Sequence, residues 1–302
     1  MKKIYITMFV FLLFLILISC SEKDTNTPFI KELEENISHV HGMGFNEEGN
    51  QILFGTHVGL RIYEDGTWYE TTDQLNDYMG FVAVDKGFYT SGHPEMQSDL
   101  PNPIGIQKSV DGGRTLESIG FVGETDYHFM AVGYNSHDIF IYNPDKNSML
   151  EKGYYISKDD GESWENVQAS GIEGDLIEVA IHPKDSDYIA VSTTIGIFLS
   201  TDSGQQFSLL SEQSQGIGVY FSDEELFYST YENTANLYSL HLDSNKQIAL
   251  SLPELAEDAP LFMAQNPANR KEFAFYTMNG QLYISQDGYK SWKQILYDGS
   301  DH

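Results

Sequence analysis

Five of the nine histidines, His39, His41, His57, His93 and His128, stand at corresponding places in a repeating pattern. Imidazole nitrogen suits zinc, copper and nickel, and a thioether close by biases a site toward copper. Aligning the apolar runs that open each repeat puts His41, Met79, His128, Glu178, Ile217 and Phe262 in one column. His39 and Asp126 fall two residues earlier, which in an extended strand is the same face. His57 and His93 close the second runs of their repeats. The five histidines and Met79 are therefore candidate ligands of a copper or zinc ion, contributed by separate repeats. The plain alternative is that His57 and His93 cap loops. His137 and His182 read as surface-turn residues, His241 as a neighbour of a degraded turn and His302 as part of a tail.

The same segments carry carboxylates. Asp77, Glu95, Asp126 and Glu178 are candidate catalytic groups, because glycoside hydrolysis needs two carboxyls facing each other across a sugar. The only arginines are Arg61, Arg114 and Arg270, on segments too far apart to clamp one anion.

The elements that must position these residues are set by a repeated aspartate turn. The clear copies are Ser109 to Thr115 around Asp111, Ser157 to Trp164 around Asp159, and Ser200 to Phe207 around Asp202. A copy around Asp287 has its glycine one place early, and weaker ones sit at Asp65 and Asp243. The intervals are 46, 48, 43, 41 and 44 residues. That period, with four short strands per unit, predicts an all-β propeller. Strands are expected at 40–45, 51–55, 59–63 and 68–71, and in the same order from Ile177 and from Leu261. Turn residues punctuate them, and no long helical period interrupts. Six blades fit between His39 and Leu296, or seven if the segment before His39 adds strands. The first strands should line the central channel, with the histidines at one mouth. Trp164, Phe207 and Trp292, each five residues after its aspartate, should pack beneath their turns.

The turns resemble the Asp-box, or BNR, repeat of bacterial sialidases, sortilin-like propellers and photosystem assembly factors. That resemblance implies a structural role at the rim for Asp111, Asp159, Asp202 and Asp287. The segments around His39-Val40-His41-Gly42-Met43-Gly44, Gly55-Thr56-His57, Tyr78-Met79-Gly80 and Ser91-Gly92-His93-Pro94 are similar to a bacterial lipoprotein group labelled sialidase-like or glycosyl-hydrolase-like. A sialidase of that superfamily also needs three clustered arginines, which this chain lacks.

Lys2 and Lys3 precede an apolar run from Ile6 to Ile18, too short for a confident spanning helix. Leu17-Ile18-Ser19-Cys20 resembles a lipobox, which implies a signal peptide over 1–19, lipidation at Cys20, and anchoring on the outer side of a bacterial membrane. Residues 20–38 read as a polar tether, 39–297 as the propeller and 298–302 as a tail. Cys20 is the only cysteine, so no disulfide within the chain supports the fold. The net charge of −28 argues against nucleic acid, whose phosphates need a basic surface. There is no Walker loop, dinucleotide fingerprint or Gly-x-Ser-x-Gly elbow, so no nucleotide cofactor is expected. Three functions fit: a ligand- or metal-binding surface propeller, a glycan-processing hydrolase, or a protein-binding assembly scaffold.

Overall fold

A computed structural model describes residues 28–34, 37, 39–211 and 214–296. The signal segment, Cys20 and the 298–302 tail lie outside the described residues. Within them the chain forms 25 strands in six antiparallel sheets. Blade 1 holds β1 (Ile30–Glu32), β2 (Val40–Phe45), β3 (Gln51–Thr56), β4 (Gly59–Glu64) and β5 (Thr67–Thr71). Blade 2 holds β6 (Asp77–Val84), β7 (Gly87–His93), β8 (Ile106–Ser109) and β9 (Glu117–Gly120). Blade 3 holds β10 (Met130–Val132), β11 (Ile139–Asn143), β12 (Gly153–Ser157) and β13 (Glu165–Val167). Blade 4 holds β14 (Leu176–Ile181), β15 (Tyr188–Thr193), β16 (Ile197–Thr201) and β17 (Ser208–Leu209). Blade 5 holds β18 (Gln215–Phe221), β19 (Glu225–Tyr231), β20 (Ala235–His241) and β21 (Lys246–Leu250). Blade 6 holds β22 (Pro260–Gln265), β23 (Phe273–Thr277), β24 (Leu282–Ser285) and β25 (Lys293–Leu296). The first strands touch in a closed ring, β2 to β6, β10, β14, β18, β22 and back to β2. This is a six-bladed propeller.

Each blade is covered on both faces by its neighbours. The apolar core is accordingly six slabs, one per blade junction. This explains the near-continuous apolar second strands: β7, β15, β19 and β23 are buried along most of their length, where a one-sided sheet would alternate. Near the axis the blades approach backbone to backbone. A Cβ on Gly42 would lie 2.2 Å from the Phe81 carbonyl oxygen of blade 2, and one on Gly80 as close to the Tyr127 oxygen of blade 3. Serines of second strands bridge the same gaps. Ser91 Oγ accepts the Tyr127 N–H at 2.9 Å, and Ser192 Oγ donates to the Ile217 oxygen at 2.8 Å.

The aspartate turns join third to fourth strands. In the three clear copies the serine Oγ donates to the aspartate Oδ1 at 2.7 to 3.0 Å, and the N–H four residues after the aspartate reaches the same oxygen at 2.8 to 2.9 Å. The fourth turn keeps these bonds at 3.0 Å despite its displaced glycine. Tyr289 takes the left-handed backbone place (φ 67°) held elsewhere by Gly113, Gly161 and Gly204. Hydrogen bonds from Ser291 hold the Asp287 carboxyl down to about 2. The weak copies are short hairpin turns, with Asp65 and Asn245 in the left-handed region.

Three expectations need correction. The 20–38 tether is too long: Ile30–Glu32 pairs with β5 on the outer edge of blade 1, and Ile37 is 1% exposed in the slab between blades 6 and 1. The early segment thus adds a fifth strand rather than a seventh blade. Of the three turn aromatics only Phe207 is buried, at 3% exposure. Trp164 is half-buried, edge-on to Phe121, and Trp292 is half-buried with its Nε1–H on the Ser251 oxygen at 2.7 Å. His182 is buried rather than a surface residue; its Nδ1 accepts the N–H groups of Lys184 and Asp185, capping the turn.

Phe207→Ala is expected to lower unfolding stability by about 3–5 kcal/mol, the range for a fully buried aromatic, and Trp164→Ala by clearly less. Chemical denaturation of both variants measures the order, and the reverse order contradicts this packing.

Candidate functional site

The site stands where the first strands begin and the second strands end, on one face of the ring. A bulge occurs at the same place in several first strands. Pairing runs from Val40↔Thr56 to Gly42↔Gly55, which skips His41. It skips Met79 in β6, Ile177 in β14 and Leu261 in β22. A bulge bends a strand and re-aims the skipped residue. The single column expected from sequence is therefore one residue out in two blades: Ile177 and Leu261, not Glu178 and Phe262, correspond to His41. In blade 3 the first strand starts late, at Met130, and His128 stands just before it.

The histidines gather into two groups. In the first, His41 Nε2 and His57 Nε2 are 3.3 Å apart. His57 Nδ1–H donates to Asp77 Oδ1 at 2.8 Å across the junction of blades 1 and 2. Potential donor atoms of His41, His57 and Asp77 all lie within 4.8 Å of one another. His39, exposed and in the left-handed region (φ 50°), flanks the group with its ring 4.8 Å from that of His57. In the second group, Asp126 Oδ2 meets His128 Nε2 at 2.7 Å and His93 Nε2 at 3.3 Å. His93 Nδ1 lies 2.7 Å from Asn102 Oδ1, and Asp126 Oδ1 is buried without a protein partner.

Electrostatics differ between the groups. Burial, reinforced by neighbouring His57, pushes His41 down to about 4, so its ring is neutral at physiological pH. The hydrogen bond to Asp126 raises His128 above its ordinary value.

Below the mouth, the channel narrows to a cavity of about 120 Å³ walled by His41, His128, Glu178, Tyr134, Tyr220 and Phe262, among others. Glu178 Oε1 accepts only the Val179 N–H, at 2.9 Å, and burial pushes the carboxyl up to about 8. Met79 holds the bulge position of blade 2 but does not wall this cavity. Glu95 lies on the loop after His93, outside both groups. Asp77 and Asp126, candidates for acid–base work, are engaged with imidazoles. The arginines do not meet: Arg61 pairs with Glu70 on blade 1, Arg114 stacks on Phe29, and Arg270 pairs with Glu224 on the opposite face.

Nothing in the sequence singles out Asn102, and Asp77 and Asp126, candidates for acid–base work, serve instead as partners of imidazoles. Asp77 precedes Met79 by two residues and Asp126 precedes His128 by two, a shared spacing that the sequence shows.

No protein-family model matches the chain. A xyloglucanase from Hypocrea jecorina (strain QM6a) is 41% identical over 58 residues, which are 19% of this chain and 7% of that enzyme. An ancestral GH74 enzyme superposes with a TM-score of 0.54 at 12% identity, covering 91% of this chain and 40% of the other. YCF48 bound to a D1 peptide superposes with a TM-score of 0.51 at 17% identity, covering 88% and 83%. The chain thus matches less than half the length of the first two. These likenesses establish a propeller fold that glycoside hydrolases and a peptide-binding protein share.

Glu178 supplies a test of the channel's dryness. Its folded pKa lies above the unfolded carboxylate value, so the unfolded state releases its proton first and stability is lost as pH rises from about 4.5 to about 8. Glu178→Gln is expected to stabilise the protein, with a gain larger at pH 8 than at pH 5 by about 1–3 kcal/mol. Denaturant titrations at the two pH values measure it; equal gains would mean a hydrated carboxylate.

Proposed function

We propose that this protein is an extracytoplasmic, membrane-anchored propeller that binds a first-row metal ion, zinc or copper, between His41 and His57. One observation carries this reading: the 3.3 Å between their Nε2 atoms. Two nitrogens bound to one tetrahedral zinc at 2.0–2.1 Å stand about 3.3–3.4 Å apart, so the pair already has the spacing of co-ligands. The hydrogen bond from His57 Nδ1 to Asp77 supports it further. A carboxylate on the far nitrogen fixes the tautomer and presents the Nε2 lone pair, as in metal sites generally. His41 stays neutral well below neutral pH, so it need shed no proton to ligate. His39 and solvent can complete the coordination. Zinc and copper both accept imidazole; a thioether from Met79 would favour copper.

The untagged protein, purified without chelator, is expected to bind Zn(II) in calorimetry. Binding should weaken as pH falls and be lost toward about 4, where His41 takes up a proton and no longer ligates. A His41→Ala/His57→Ala double variant with unchanged circular dichroism should lose it. Retained binding would move the ion to the acidic surface and end the reading.

The anchoring half rests on the lipobox resemblance at Cys20. Cys20→Ser is expected to release the protein from the membrane fraction and abolish incorporation of labelled fatty acid; equal incorporation by the variant contradicts it.

A protein-docking role for the same face has its own support. Val58, Met96, Leu100, Met149, Ile195 and Met278, 42% to 91% exposed, all lie on loops joining second to third strands, around the histidine mouth. A ring of apolar tips on one face suits a protein partner. Glycan hydrolysis has the fold likeness behind it, while two of the four candidate carboxylates, Asp77 and Asp126, are already bonded to histidines.

A further inference from the structure

The second histidine group repeats the first, rotated by one blade. His57 and His93 occupy the same register position. Each stands two residues beyond the second-strand residue that pairs just after the bulge, Gly55↔Gly42 in blade 1 and Ser91↔Gly80 in blade 2. Asp77 stands two residues before the bulge residue Met79, and Asp126 two residues before His128, which precedes the first strand of blade 3. In both cases a histidine of one blade meets an aspartate of the next across the junction, at 2.8 Å for His57 and Asp77 and at 3.3 Å for His93 and Asp126.

The two contacts differ in which nitrogen is used. His57 meets its aspartate through Nδ1, leaving Nε2 for His41. His93 gives Nδ1 to the Asn102 oxygen at 2.7 Å and turns Nε2 toward Asp126 Oδ2. In the neutral ring Nδ1 then carries the proton, and the Nε2 lone pair faces a carboxylate oxygen. Two lone pairs 3.3 Å apart repel unless a proton or a metal ion sits between them. His128 Nε2 approaches the same oxygen from blade 3, and Asp126 Oδ1 is buried without a partner. Two imidazole nitrogens from two blades thus contact one carboxylate oxygen, with the other carboxylate oxygen idle; the set is looser than the first group, the one set among the described residues whose donor atoms all lie within 4.8 Å of one another.

We propose that His93, Asp126 and His128 form a second position for a divalent first-row ion, separate from that at His41 and His57. The claim rests on the reading of the first group as an ion site, whose architecture it shares. The ion takes the Nε2 lone pair of His93 and replaces the Nε2 proton that His128 now gives to Asp126. The 2.7 Å contact of His128 with Asp126 opens toward the roughly 3.3 Å of co-ligands. Asn102 serves the second position as Asp77 serves the first, by holding the far nitrogen of the ligating ring. Met79 has in the second set the register place that His41 has in the first.

Metal analysis of the full, untagged chain after equilibration with Zn(II) and removal of free ion tests this. Two equivalents are expected in the wild type. Asp126→Asn and, separately, His93→Gln should each leave one equivalent, as should the His41→Ala/His57→Ala variant, with the thermal transition retained. The conservative Asn and Gln variants keep volume and polarity, so loss of the ion without loss of the fold reads the site itself. One equivalent in the wild type that Asp126→Asn leaves intact overturns the second position and leaves the first standing. Two equivalents that both survive Asp126→Asn and His93→Gln place the second ion elsewhere and overturn it as well. No bound zinc in the wild type sinks both.

Discussion

Everything in this molecule depends on the burial of each blade against two others. A four-stranded sheet with two apolar faces has no stable existence in water; here each face is covered by the next sheet, and the ring exists because the sixth blade covers the first. That constraint removes the sheet faces from any role in chemistry. What remains is the ring's two ends, where loops emerge and first strands converge. The candidate site lies there of necessity.

The convergence is tight because the strands nearest the axis carry glycine where they cross their neighbours' carbonyls. Bulges at the same level then turn one side chain per strand out of the pairing ladder. Two features that in isolation weaken a sheet, missing side chains and interrupted register, together bring His41, His57 and Asp77 of two blades within reach. The electrostatic character of the mouth follows from depth. His41, deepest toward the channel, is kept neutral by burial, whereas His128, at the exposed lip, is shifted toward its protonated form by Asp126.

The period of the aspartate turns made the propeller, the blade count and most strand bounds legible, because the turn chemistry is local: a serine, an aspartate and their backbone neighbours within seven residues. The histidines of the mouth were legible for the same reason, as repeated places in a repeated unit. What escaped was anything depending on contact between units. That His57 belongs with Asp77 and His93 with Asp126 is a property of blade junctions, invisible in either strand alone. The bulges shifted the expected column by one residue at Glu178 and Phe262, since register is set by pairing partners rather than by composition. β1 escaped because a three-residue strand on a rim has no periodicity to show. The turn tryptophans were placed too deep because a wide rim leaves half of an indole in solvent.

The ring has a seam. The described chain begins on the outer edge of blade 1 and ends on the outer edge of blade 6, and no strand is shared between these blades. They are held by one apolar slab and by a hydrogen bond from Asn266 to the Gly49 oxygen at 2.7 Å, with a cleft of about 700 Å³ outside it. Tension applied to the two rims would therefore peel the junction open like a zip rather than shear hydrogen-bonded strands. The histidine mouth, built on blades 1 to 3, lies away from that line, so the ring can gape at its seam while the blades carrying the site stay packed.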